Sequence, residues 1–149
     1  MTFDSTDALK NYILSQCAIA IRYAQMEVFN IIDKFLMNYY SEFSPEVYER
    51  TQQLLHSLVK SDIKSTGDGY EAEIYFDVGL LDYSMKTING IQVPNKGWSE
   101  QATLEAAAHG SHGGWVSGTA IWDDPMKIID AKAIEILKKH LIAAGIPLR

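Results

Sequence analysis

The sequence predicts an α+β fold in which a long N-terminal helix and a C-terminal helix pack on a small antiparallel sheet built on a β-hairpin. Residues 5–40 contain neither glycine nor proline and repeat apolar side chains at helical spacing. Residues 59–78 change to a period of two around a glycine-containing turn. A chain of 149 residues supports one hydrophobic core. We therefore expect a single domain over residues 1–149.

The first helix is predicted from Ser5 to Tyr40, and the side chain of either Asp4 or Ser5 can cap it. A helix of about 35 residues is roughly 50 Å long, more than the diameter of so small a domain. Part of it is therefore expected to overhang the fold and to be buried by another chain. The only cysteine, Cys17, belongs to the apolar stripe, so we interpret it as a packed thiol. The predicted stripe comprises Ile13, Cys17, Ala20, Ala24, Val28, Ile31, Phe35 and Tyr39.

A second helix and a hairpin are predicted next. Ser44 followed by Pro45 is typical of a helix start, and this helix is expected to continue to Leu58. The following two strands alternate apolar and polar side chains, and residues 66–69 form the turn between them. The pattern sets Ser65 opposite Tyr70, which extends to Lys64 opposite Glu71 and Val59 opposite Phe76.

The C-terminal half has clear helices and a less regular middle. Residues 79–98 fit either a minor hairpin or a long loop. A short helix is predicted over residues 100–108, capped by Ser99, and a third strand over residues 115–122. The last helix is expected to begin at Asp124–Pro125 and to end at Gly145.

Composition and charge limit the classes of partner. The chain is 47% hydrophobic and 21% charged, with a net charge of -6 and a pI near 5.1. This charge disfavours nucleic acid, because a phosphate backbone is repelled. No apolar run approaches the roughly 18 residues of a membrane span, and the first residues lack the basic start of a secretory signal. We expect a soluble protein made in the cytoplasm, with no membrane partner.

The one metal hypothesis concerns two histidines. His109 and His112 are three residues apart and could share a metal ion, with Asp123 and Asp124 completing the site. Glycines flank both histidines, so we favour a solvated loop. No catalytic residue, cofactor or metal ligand is therefore predicted.

Aromatic residues outside the obvious core are the candidates for an interface, because tyrosine and tryptophan tolerate an apolar and a wet side together. The alternative interpretation is that they close the core, and the sequence leaves both interpretations open. The candidates are Tyr39, Tyr40, Trp98 and Trp115.

The motif Tyr48-x-Arg50-Thr51-x-x-Leu54-Leu55-x-Ser57, followed by the strand pair and a final helix, resembles tail-completion and head-to-tail joining proteins of long-tailed bacteriophages and prophages. The resemblance implies a structural protein without catalytic activity that assembles as a ring between the capsid portal and the tail tube. Arg50 is then either a salt-bridge residue and interface candidate or an ordinary exposed arginine. Residues 79–114 lie outside the resemblance.

From the resemblance we expect a virion protein, assembled in the bacterial cytoplasm, whose partners are copies of itself and other neck or tail proteins. A ring needs two different surfaces on each subunit. Our candidates are the overhanging part of the first helix and the segment from Trp98 to Trp115. Two alternatives stay open: a small metal-binding module or metal-dependent enzyme using His109 and His112, and a regulatory helix-rich adaptor unrelated to phages.

Overall fold

The computed structural model describes residues 2–42, 52–82, 84–94, 99–112, 115–116 and 118–148. Its helices and small antiparallel strands confirm the α+β class. In chain order they are α1 (Thr6–Glu42), α2 (Gln53–Ser57), β1 (Leu58–Lys60), β2 (Lys64–Ser65), β3 (Tyr70–Glu71), β4 (Ile74–Phe76), a 3-10 turn (Val78–Leu80), β5 (Met85–Ile88), β6 (Ile91–Pro94), α3 (Glu100–Ala108), β7 (Ser111–His112), β8 (Trp115–Val116) and α4 (Asp123–Ala143).

Two compact units make up the chain. The first contains Met1–Phe29, Lys60–Ile74 and Ile129–Arg149, and the second contains Asn30–Val59 and Tyr75–Ile128. The largest fully buried apolar side chains, Ile32, Leu36, Ile121 and Pro125, all belong to the second unit. In the first unit the buried apolar residues among those described are Ala20, Ile129 and Ile136. The prediction of a single domain over residues 1–149 stays a prediction.

Helix α1 begins as expected, and the predicted stripe is buried only in part, at Ala20 and Tyr39. The Ser5 hydroxyl accepts a hydrogen bond from the backbone N–H of Ala8 at 3.1 Å, so Ser5 is the cap among the two predicted candidates. The helix runs for 37 residues. Ile13 was predicted to be buried and is 42% exposed, whereas Ile32 and Leu36, which lie beside the predicted stripe, are almost fully buried. Cys17 is half-buried.

The predicted second helix is not continuous through Gln52. Gln52 has φ 58°, a left-handed conformation, so a regular helix cannot pass through it. The helix therefore begins at Gln53 and ends at Ser57. Leu58 is extended instead of helical, and it is buried as the first residue of β1. The predicted start at Ser44–Pro45 lies outside the described residues.

The first hairpin confirms the predicted register only near its turn. Lys64 pairs with Glu71 and Ser65 with Tyr70, as the pattern predicted. Farther from the turn, the Ser61 N–H donates to the Glu73 carbonyl at 3.0 Å. Two residues, 62 and 63, therefore lie opposite residue 72 alone, which is a β-bulge.

The bulge shifts the register of the open end of the hairpin by one residue. β1 pairs with β4, and the Asp77 N–H donates to the Ser57 carbonyl at 2.7 Å. This bond places Tyr75 opposite Val59, so the predicted pairing of Val59 with Phe76 is wrong. An uninterrupted alternation of polar and apolar residues contains no signal for the extra residue.

Replacing Gln25 by leucine is expected to lower the free energy of unfolding by about 1 kcal/mol. The Gln25 amide nitrogen donates to the Ser61 carbonyl at 3.0 Å and to the Glu73 carbonyl at 2.9 Å, and so bridges the two strands at the bulge. Chemical denaturation measures the change. The control is Gln101→Leu, which removes an amide that bonds Glu105 on the exposed side of α3. Equal effects of the two substitutions would contradict a bridging role for Gln25.

Residues 85–94 form the minor hairpin, one of the two structures that the sequence allowed. β5 pairs with β6 from Met85 opposite Pro94 to Ile88 opposite Ile91. Asn89 at φ 49° and Gly90 at φ 77° occupy the turn, and positive φ at both central residues is the type I′ geometry that asparagine and glycine favour.

The predicted third strand over residues 115–122 is wrong for most of its length. Strand β8 contains Trp115 and Val116 only, paired with β7. Beyond it, the Ala120 N–H donates to the Asp124 carboxylate at 3.0 Å and the Ile121 N–H to the Ala107 carbonyl at 3.2 Å. These two N–H groups therefore bond to the start of α4 and the end of α3 and are not available for a partner strand. The β-branched and aromatic composition of this segment does not produce a strand.

The remaining helix ends agree with the prediction. The Ser99 hydroxyl accepts from the Ala102 N–H at 3.2 Å and caps α3, which ends before Gly110 at φ 79°. Helix α4 begins one residue before Asp124, and Gly145 at φ 86° follows it. Positive φ explains the glycine at both positions.

Candidate interaction surface

Helix α1 exposes a series of large apolar side chains to solvent. They include Ile19 at 43%, Tyr23 at 55% and Met26 at 44% exposed. These three residues have the spacing i, i+4 and i+7, so they lie on one face of the helix. Leu9, Ile13 and Met37 are also more than a third exposed.

The sequence predicted that part of the first helix is left unburied. It did not predict which residues these are. Ile19, Tyr23 and Met26 do not belong to the stripe that was predicted to face the core. Their regular spacing in the sequence is the signal that could have identified them. The first turns of α1 also line a surface depression of about 250 Å³, formed by Thr6, Leu9, Lys10, Ile13 and Leu14.

A charged cluster lies beside this face in the first unit. The Glu27 carboxylate accepts hydrogen bonds from the Lys139 ammonium and from the His140 Nε2 at 2.7 Å. The hydrogen bond from Lys139, followed by that from His140, lowers the pKa of Glu27 below its ordinary value. The His140 ring also stacks on Tyr23 with 6.0 Å between ring centres. This cluster joins α1 to α4 within the unit.

The aromatic interface candidates have different surroundings. Tyr39 is 3% exposed and Tyr40 is half-buried, and their rings make an edge contact at 6.2 Å. Arg50 and Trp98 lie outside the described residues, and for Trp115 only the backbone, in β8, is described. An interface role for these five residues stays a prediction.

The structure brings one predicted histidine close to a predicted carboxylate. His109 Nδ1 lies 2.7 Å from an oxygen of Asp123, and both side chains are exposed. Asp124, in the first turn of α4, instead accepts from the Ala120 N–H that precedes the helix, and its pKa is lowered chiefly by the hydrogen bond from Lys127. The His112 side chain lies outside the described residues. Within the described part of the chain, no three His, Cys, Asp or Glu side chains are grouped for a metal ion.

The other two histidines have ordinary environments. His56 is exposed on α2, and the His140 side chain is 16% exposed within the Glu27 cluster. No helix in the described ranges is long and apolar enough to cross a membrane.

The fold and this surface define a small α+β protein with a long N-terminal helix whose outward face is apolar. The chain matches the YomN family model over residues 5–143 and therefore belongs to the YomN family. The family name derives from a Bacillus phage or prophage, which indicates a phage-associated protein. No curated protein and no solved structure matches the chain.

Proposed function

We propose that this protein is a non-catalytic structural protein of a phage or prophage virion, a tail-completion or connector subunit that joins head and tail. Membership of the YomN family supports the phage association. The observation that carries the structural role is the exposed apolar face of α1, because a face of this kind is buried when subunits assemble. The partners are copies of the same chain in a ring and other neck or tail proteins.

The proposal places the protein in the virion after assembly in the bacterial cytoplasm. The net charge of -6 gives no general attraction to DNA, so the proposal includes no direct nucleic-acid contact and no membrane contact. The protein acts by filling a junction between other proteins. Its activity therefore depends on shape and surface rather than on a reacting group.

A second candidate function is a metal-binding module or metal-dependent enzyme centred on His109. The observation that favours it is the 2.7 Å contact between His109 and Asp123, because a carboxylate often orients a metal-binding histidine. This function requires further ligands, for which His112 is the sequence candidate.

Deleting the gene from an inducible phage that encodes this chain is expected to produce filled heads and separate tails, visible by electron microscopy. A plasmid copy of the wild-type gene is expected to restore joined particles that contain the protein by mass spectrometry. Normal joined particles after the deletion, or restored particles without the protein, would overturn the proposal.

Complementation with His109→Ala separates the two functions. A structural role predicts full rescue, because the exposed imidazole contacts only one exposed carboxylate among the contacts described. The metal-dependent function predicts failure of rescue, together with stoichiometric zinc or iron in the wild-type protein that is lost in the variant. Elemental analysis of the purified proteins measures the metal.

A further inference from the structure

The outward face of α1 has the repeat of a coiled coil. From Leu9 to Asn30, residues on this face follow each other at alternating intervals of three and four, the a and d positions of a heptad. Five of them are exposed, whereas Tyr12, whose ring contacts Phe3, and Gln16 are half-buried. We name this row the α1 seam. Its apolar members are Leu9, Tyr12, Ile19, Tyr23 and Met26, and its polar members are Gln16 and Asn30.

We propose that a second copy of this chain binds along the α1 seam, with the two α1 helices parallel. This inference rests on the proposed function. Both copies use the same surface, so the seam joins two subunits into a pair, and the contacts that close a ring lie elsewhere on the chain. A repeat of 3.5 residues keeps one row of side chains against a partner helix over several turns, whereas packing on a globular surface does not require it. A second α1 carries the same row and fits it by symmetry.

The charges that flank the seam favour the parallel arrangement. Arg22 lies at a g position and Glu27 at the following e position, five residues later. In a parallel pair, g of one helix lies beside the next e of its partner, so Arg22 meets Glu27 of the second copy twice. In an antiparallel pair, g positions face g positions and this attraction is absent. Arg22 is exposed, and Glu27, which already accepts from Lys139 and His140 of its own chain, keeps 32% of its side chain exposed.

The polar members of the seam also have a role in a parallel pair. A single asparagine at an a position specifies register and the number of strands in a coiled coil, at a cost in stability. Asn30 occupies an a position and is exposed in the single chain. Tyr23 stacks on His140 of its own chain and is still 55% exposed, so the pair can bury its remaining surface.

Light scattering of the purified wild-type chain is expected to give a mass of two or more subunits. Ile19→Lys, which places a charge in the middle of the seam, is expected to give a monomer. The matched control is Ile134→Lys, the same substitution at a 73% exposed position of α4, which is expected to keep the wild-type mass. Equal helical circular dichroism shows that both variants fold. A monomeric wild type, or an Ile19→Lys variant with the wild-type mass, would overturn the proposal.

Disulfide cross-linking tests the parallel direction. In a Cys17→Ser background, Gln16→Cys and Asn30→Cys each place one thiol at an a position, and the two positions are about 21 Å apart along the helix. In a parallel pair each variant forms a disulfide with itself. In an antiparallel pair a positions face d positions of the partner, so neither variant forms a disulfide with itself. A chain that pairs in solution but shows no self-linking in either variant would therefore overturn the parallel arrangement.

These results can be separated from those that test the proposed function. If the chain is present in virions and needed for joining but is monomeric in solution, the pairing along the α1 seam is refuted and the proposed function stands. If the chain pairs along the seam but is absent from virions, the proposed function is refuted and the pairing along the seam stands.

Discussion

Replacing Leu36 by alanine is expected to lower the free energy of unfolding by about 3 kcal/mol. Leu36 is completely buried in the second unit, in the same unit as the buried Ile32 and Ile121. The substitution removes apolar contacts and leaves a cavity, since a packed interior collapses only partly around a smaller side chain. Thermal unfolding is expected to show a lower midpoint, by roughly 10 °C for a chain of this size.

The matched control is the next residue of the same helix. Met37 is 52% exposed, so Met37→Ala is expected to change the free energy of unfolding by less than about 0.5 kcal/mol. Alanine favours a helix at both positions, so propensity does not explain a difference between the variants. Similar losses for the two substitutions would show that Leu36 is not part of the core.

Replacing Glu27 by glutamine is expected to destabilise the chain at neutral pH by on the order of 1 to 2 kcal/mol, because two charge-assisted hydrogen bonds are weakened. Glu27 is partly exposed, and water screens its charge, so we expect a loss of stability near the lower end of this range. The bonds from Lys139 and His140 lower the pKa of Glu27 in the folded state. The stabilisation is therefore present above the ordinary carboxyl pKa and is lost as the pH falls through the lowered value.

Denaturation of both proteins from pH 7 to pH 3 tests this prediction. The difference in stability between wild type and Glu27→Gln is expected to be largest at neutral pH and to shrink below about pH 4.5. Measurements at two protein concentrations separate the contacts within one chain, whose contribution does not change, from any between copies. Glu135→Gln, an exposed carboxylate of α4 without an ion pair among the described contacts, is the control. A difference that is constant with pH would contradict the charge-based explanation.

Local signals in the sequence were sufficient for the helix ends and the tight turns. Ser5 and Ser99 accept hydrogen bonds from the first turns of their helices, and Gly145 ends α4, because capping and positive φ depend on a few neighbouring residues. The Asn89–Gly90 turn was equally readable, although its sequence left open whether strands flank it.

Predictions that depended on distant partners were less successful. The bulge after Ser61 is stabilised by the Gln25 amide, which comes from a helix far away in the sequence. The backbone N–H groups of Ala120 and Ile121 donate to the start of α4 and the end of α3. Strand propensity gives no information about such distant acceptors. His109 and Asp123 were grouped only in the disfavoured metal hypothesis, and the 2.7 Å contact between their exposed side chains depends on how the folded chain brings α3 and α4 together.

The sequence alone determined that the chain is an α+β protein with one very long helix and that this helix has more apolar surface than one small fold covers. Only the tertiary structure decided which apolar residues of α1 are buried and which are exposed. Hydrophobic periodicity identifies the faces of a helix, but two apolar faces on one helix have the same local signal. The neighbours supplied by the folded chain choose between them, and here they cover Ile32 and Leu36 and leave Ile19, Tyr23 and Met26 exposed.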